Sequence, residues 1–259
     1  MNKIPDFVYK YQAINTYSRE NLANAQIYFN APQKFNDPFE LILQTRQLTE
    51  TNLLSILNGA EKDLNQKTKN PSFQKEKILS LFEGKVKKRL KEIREELREC
   101  RGCWCASTGD ENNSPANILM WSHYADSHKG MCLAFKRNEL EKKFGNEMRS
   151  VTYRQNPISL CPLCVIDECK CSDIFDSLFH KSKIWSYENE FRIFSRSAYE
   201  TKTYDEALDA IYFGSEVDPS VLKEVCSIAQ SKNKNIKFFT TSIKQNSYEL
   251  EFKPYDYIL

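Results

Sequence analysis

Trp185-Ser186-Tyr187-Glu188-Asn189-Glu190-Phe191-Arg192-Ile193 is the stretch on which the fold of this chain turns. Its alternation reads as one β-strand with two unlike faces, because successive side chains of a strand point opposite ways. Trp185, Tyr187, Phe191 and Ile193 share one parity and make an apolar face, with Asn189 the polar member. Glu188, Glu190 and Arg192 share the other parity. Two carboxylates roughly 6–7 Å apart on one face make a poor core and a good polar cleft wall. Like charges that close raise each other's pKa unless a cation offsets them, and Arg192 stands next in line to do so. The plainer alternative is an exposed face with a solvated Glu–Arg ladder.

Around this strand the chain alternates short strands with helices. Phe7–Tyr11, Ile27–Phe29, Cys103–Thr108, Met131–Phe135, Val151–Tyr153, Ile211–Gly214, Ile236–Thr240 and Tyr248–Phe252 carry strand patterns. Helices are expected at Ser18, after Ser114-Pro115, over 172–181, and from Asp218-Pro219 to Gln230. Gly130 is expected to end the second of these as a left-handed cap. Residues 46–101 differ: they are polar, charged and helical, with Ile78, Leu81, Phe82, Val86, Leu90, Ile93 and Leu97 forming one apolar stripe. The reading is one α+β domain over 1–259, with 46–101 a helical insert.

Composition narrows the function classes. The 259 residues are 28% charged yet carry a net charge of only +2, so a nucleic-acid partner would need a local patch. Seven glycines and no Gly-rich phosphate-loop motif argue against a nucleotide-binding P-loop or dinucleotide fingerprint. Apolar runs reach about five residues, far from the roughly 20 of a membrane span, and no signal core follows Met1. No membrane partner and a cytoplasmic location are therefore expected. The nine cysteines point to reduced thiols or a metal site. Cys161, Cys164, Cys169 and Cys171 lie within eleven residues, a spacing that can hold a structural zinc, though the gap between the pairs is tight.

Four segments carry a family likeness: Tyr9-Lys10-Tyr11, Phe35-Asn36-Asp37-Pro38-Phe39-Glu40, Met120-Trp121-Ser122-His123-Tyr124-Ala125, and the W-x-x-E-x-E-x-R run from Trp185 to Arg192. Together they resemble a bacterial and phage domain family of unknown function. A weaker resemblance is to the ADP-ribosyltransferase fold, on the strand–helix–strand start, the mid-chain Ser-Thr strand and the late E-x-E strand. That resemblance implies a split mixed sheet cradling NAD as substrate. It implies that Glu190 stabilises an oxocarbenium ion and that Glu188 serves the acceptor, a nucleic acid or a protein. Ser107-Thr108 would stand for the family's Ser-Thr-Ser, with Gly109 in place of the last Ser. Lys10 stands where the family has Arg or His. Tyr11, Trp121 and Tyr124 would wall the rings, Asn36, Asp37 and His123 would reach ribose or phosphate, and Arg192 would stand with them among the NAD-binding residues. The bacterial and phage setting suits a toxin or antiphage defence effector.

Two rivals stay open. Asp37, Glu188 and Glu190 could hold Mg²⁺ in a metal-dependent nuclease or phosphodiesterase, with the basic helix gripping phosphates. Alternatively the chain is a non-catalytic module that binds a nucleotide or a partner protein.

Overall fold

The computed structural model describes residues 6–48, 71–109, 114–167 and 173–257. The chain divides into two compact units: Met1–Ala31, Arg101–Val151 and Ile184–Leu259 form the first, Pro32–Cys100 and Thr152–Lys183 the second. The fold class is mixed α+β, as expected from the alternation of short strands and helices.

The first unit is built on a twisted sheet. Its strands are β1 (Phe7–Gln12), β4 (Gly102–Ser107), β5 (Met131–Lys136), β6 (Met148–Ser150), β10 (Glu190–Ser195), β12 (Leu208–Phe213), β13 (Lys237–Ile243) and β14 (Leu250–Pro254). They run in the order β14-β13-β12-β5-β1-β4-β10-β6. Neighbours are antiparallel except β12 and β13. That parallel pair needs a crossover, which is helix α7 (Pro219–Lys232). Asp218 caps α7, its Oδ1 accepting from the Ser220 N–H at 2.8 Å, with Pro219 in the first turn as read from sequence. A separate ribbon pairs β2 (Gln26–Phe29) with β11 (Glu200–Thr203).

Alternation along the strands sorts two apolar layers onto the two sheet faces. Val8, Trp104, Leu133, Phe135, Phe191, Ile193 and Ile211 join one cluster, which takes in Leu22 of α1 (Thr16–Ala23), Leu140 of α4 (Arg137–Phe144) and Val225 of α7. Tyr9, Tyr11, Cys132, Ala134 and Ala210 join the other, under Met120 and Trp121 of α3 (Ile118–Tyr124). Each large apolar side chain so buried stabilises by about 1.5–3 kcal/mol before entropy is counted.

The second unit holds two small parallel pairings, β3 (Leu43–Thr45) with β8 (Ile158–Leu160) and β7 (Thr152–Arg154) with β9 (His180–Ser182). It also holds α2 (Pro71–Glu99), α5 (Pro162–Asp167) and α6 (Asp173–Asp176). On α2 the stripe buries Val86, Ile93 and Leu97, while Leu81 is 61% exposed. Leu81 stands five residues before Val86, hence about 140° round the helix from the buried line. Charges on the outer faces pair along the helix, Lys88 and Arg89 with Glu92, Lys91 with Glu95.

Several local expectations are corrected. The nine-residue strand is shorter: residues 183–188 form a 3₁₀ helix and β10 begins only at Glu190. Asn189 between them has φ of +44°, which breaks any strand there. Asn15, not Ser18, caps α1, and Ser18 completes the capping box by accepting from the Asn15 N–H. The helix expected after Ser114-Pro115 starts at Ile118 under Asn117, whose side chain accepts from the Leu119 and Met120 N–H groups. In place of a helix over 172–181, Asp173–Asp176 gives way to a 3₁₀ turn and then to β9. Past α3, left-handed residues are Asp126, Ser127 and His128. Gly130 answers a different need, since a Cβ there would lie 2.3 Å from the Gln12 carbonyl oxygen.

Candidate functional site

Strand register gathers the polar residues. Glu190 of β10 stands opposite Ser107 of β4, and Ser107 stands opposite Tyr9 of β1. That single pair is the whole β1–β4 register, whereas β1 and β5 share six. Beside the narrow junction Lys10 donates from Nζ to the Cys105 carbonyl at 2.8 Å and lies 5.8 Å from the centre of the Trp104 ring. Lys10 thus links the two strands where their backbones share no further register pair.

Arg192 stands two residues beyond Glu190, on the same face of β10. Its Nε donates to Glu190 Oε1 at 2.7 Å and its Nη2 to Oε2 at 3.0 Å. The arginine side chain is 1% exposed and the glutamate 6%. This bidentate grip favours the ionised carboxylate and fixes its plane.

Glu188 is 2% exposed and lies at the end of the 3₁₀ turn, off the strand. Tyr124, the last residue of α3, donates its phenol proton to Glu188 Oε1 at 2.5 Å. The other end of α3 is tied to the same segment, Asn117 Nδ2 donating to the Tyr187 carbonyl at 2.7 Å. Asn189 locks the turn onto the segment that follows β4. Its carbonyl accepts from the Thr108 N–H at 2.8 Å, and its Nδ2 donates to the Gly109 carbonyl at 3.0 Å. The Ser107 hydroxyl oxygen accepts from the Gly109 N–H at 3.1 Å. Asparagine is among the few residues at ease with this left-handed backbone.

Rings stand beside the carboxylates. His123 is exposed, its ring 6.3 Å from that of Tyr124 and 6.4 Å from that of Tyr187; Trp185 lies 6.1 Å from Tyr187. Trp121 is fully buried, meeting Tyr11 edge to face at 5.4 Å and donating from Nε1 to the Pro115 carbonyl. Tyr11 is buried with it. Asn36 belongs to the second unit, where it is exposed beside an Asx turn in which Asp37 accepts from the Phe39 N–H.

The Cys105 thiol beside the pair is held toward its protonated form. Cys105 stands opposite Arg192, and its Sγ lies 3.5 Å from that of Cys103. Its pKa is pushed well above the ordinary value by that hydrogen bond first, then by burial and the charges of Cys103 and Glu190, against a smaller opposing pull from Arg192. Such a thiol is a poor nucleophile. Of the cysteines read as zinc ligands, Cys161 and Cys164 bracket the first turn of α5, and Cys169 and Cys171 lie outside the described residues. Among the described residues, no group of three or more His, Cys, Asp or Glu side chains is placed to hold a metal ion.

Of the candidate residues read from sequence, Glu190, Arg192, Glu188, Tyr124, Ser107 and His123 all fall in the first unit. Sequence reasoning missed Asn117, Asn189 and Tyr9 as organising residues. Asn189 left a signal, as the polar exception on an apolar parity. Tyr9 left its place on the first strand and in the Tyr9-Lys10-Tyr11 segment.

Residues 120–193 match the model of a family described as a protein of unknown function (DUF2971). The match begins at Met120 in α3 and ends at Ile193 in β10, so it takes in both Tyr124 and the Glu188–Arg192 segment. No curated protein and no solved structure matches the chain. No helix among the described residues is long and apolar enough to cross a membrane.

Proposed function

We propose that the protein is an ADP-ribosyltransferase-like enzyme that cleaves the glycosidic bond of NAD. The observation that carries this reading is the row Glu190–Ser107–Tyr9 across the β10–β4–β1 junction, with Glu190 gripped by two hydrogen bonds from Arg192 and Glu188 held by Tyr124. In this reading Glu188, Glu190 and Ser107 are the floor, and His123, Tyr124 and Tyr187 are the rim.

The chemistry follows from those groups. The bond between ribose C1′ and the nicotinamide nitrogen breaks, and its electron pair leaves on nicotinamide, neutralising the pyridinium. The ribose becomes an oxocarbenium ion. Glu190 accepts a hydrogen bond from a ribose hydroxyl and sets its negative charge against the developing cation. Arg192 orients Glu190 without touching substrate. An acceptor lone pair then closes on C1′, and Glu188 takes the acceptor's proton. The acceptor is a nucleic acid, a protein or water. An activity of this kind fits a toxin or antiphage effector.

The test is nicotinamide release from NAD, with label on the adenine half followed into added lysate. Turnover by the wild-type chain, lost in Glu190→Gln and still lost in Glu190→Gln/Arg192→Met, supports the reading. The double variant removes the uncompensated arginine, and circular dichroism of both variants separates lost chemistry from lost fold. No turnover with and without lysate overturns it.

One observation favours a second reading. Glu188, Glu190 and Arg192 are all nearly wholly buried. A non-catalytic module would use them as a polar clamp between α3 and β10. That reading expects the same variants to change stability and no NAD turnover from the wild type.

A further inference from the structure

The second unit carries a cavity of about 620 Å³ that the carboxylate site does not use. Its wall includes Arg46, Arg154 and Lys183, with Tyr153, Gln155 and Asn156 beside them. No carboxylate lines it among the described residues. Arg154 and Lys183 set two like charges side by side on one concave surface, an arrangement that an anion would offset, and a chain of net charge +2 has little general surplus to explain the cluster.

Strand pairing builds the cluster. Arg154 ends β7 and stands opposite Ser182, the last residue of β9, so Lys183 follows immediately beside it. Arg46 follows β3. Its N–H donates to the Leu160 carbonyl and its Nε to the Ser159 carbonyl, each at 2.9 Å. Gln44 braces the same wall, donating to the Ser159 hydroxyl at 2.8 Å. Neither Arg154 nor Lys183 has an ion-pair partner among the described residues. Both are exposed at the cavity.

We propose that this cavity binds the phosphate of a nucleotide, either free or at a nucleic-acid strand. Arginine forks match phosphate oxygens in a bidentate way, and lysine adds a point charge. Tyr153 offers a flat face for a base, and the Gln155 and Asn156 amides offer both donors and acceptors for base edges. The volume suits one or two nucleotides and falls within the range of small-molecule sites. The inference does not rest on NAD cleavage at Glu190, because every residue it uses belongs to the second unit.

The test uses the full chain. Binding of AMP, adenosine and a short fluorescein-labelled single strand, as RNA and as DNA, is measured by calorimetry and fluorescence anisotropy. The wild type and Arg154→Ala/Lys183→Ala are compared, with circular dichroism to confirm the fold. All are repeated on a Glu190→Gln/Arg192→Met background, which leaves neither charge of that pair stranded, so that occupancy of the other unit is read separately. AMP or a strand should bind where adenosine does not, and the double variant should weaken binding at least tenfold. For a strand, affinity should also fall with salt, with a shallower slope in the variant. Binding of AMP alone identifies a free nucleotide, and binding of the strand alone identifies nucleic acid. Adenosine binding as well as AMP, binding unchanged in the variant, or no binding of any phosphate probe overturns the proposal.

Discussion

Arg192 holds Glu190, two residues before it on one strand, through two parallel hydrogen bonds of 2.7 and 3.0 Å, and both side chains are buried. In water such a pair would be worth little. Out of water its two halves depend on each other, because either one alone is a buried charge without a counter-ion.

Glu190→Gln should therefore destabilise the chain by about 3–5 kcal/mol, by leaving Arg192 uncompensated. Arg192→Met should cost a similar amount by stranding Glu190. The double variant should cost much less than the sum, with a coupling of about 2 kcal/mol or more. Urea denaturation of the four proteins checks this, and additive losses would mean the two groups do not depend on each other.

Gly130 and Gly214 should not tolerate alanine. A Cβ on Gly130 would sit 2.3 Å from the Gln12 carbonyl oxygen, and one on Gly214 would sit 2.0 Å from that of His128. These neighbours are backbone and cannot swing aside, so each substitution should cost about 1–3 kcal/mol or more. Gly84 on α2 has nothing within 4 Å of its Cβ position. Gly84→Ala should stabilise by about 0.5–1 kcal/mol, through helix propensity alone. Melting temperatures of the three variants should split in sign.

His128 should make stability depend on pH. Its ring stacks on Trp121 at 6.2 Å, its Nε2 lies 3.2 Å from the Ser122 hydroxyl, and its Nδ1 is buried without a partner among the described residues. Burial pushes its pKa below the ordinary value, against a smaller opposite pull from Glu216. The folded chain thus holds this imidazole neutral more readily than the unfolded chain does. Its contribution is whole above the unfolded value of about 6.5 and is lost as pH falls through the lower folded value. Between about pH 7 and about pH 5.5, wild-type stability should fall more steeply than that of His128→Asn. Equal slopes would show that the ring is not the sensor.

Much of the site could be read along the chain, since strand alternation needs only local sequence. Phe191 and Ile193 lie in the main core and Glu190 and Arg192 on the other parity, as period two requires. Glu188 was read onto that strand by the same rule, and there the rule failed. Asn189 adopts a left-handed backbone that its neighbours Thr108 and Gly109 hold in place through three hydrogen bonds. Those partners follow β4 directly, and nothing in the local alternation names them. The Asp218-Pro219 start of α7 is legible for the opposite reason, because the cap bonds residues only two and three positions ahead of it.

The sequence by itself determined the α+β class, the parity of β10, the apolar line of α2 and the absence of a general positive surplus. These depend on periodicity and composition, which are properties of neighbours. Tertiary structure alone decided that Tyr124 reaches Glu188 across 64 residues, that Lys10 bonds the Cys105 carbonyl, and that Arg46, Arg154 and Lys183 line one cavity. Such contacts depend on strand order and register. Register is set by how whole faces bury their apolar side chains, a global balance that no short window of residues contains.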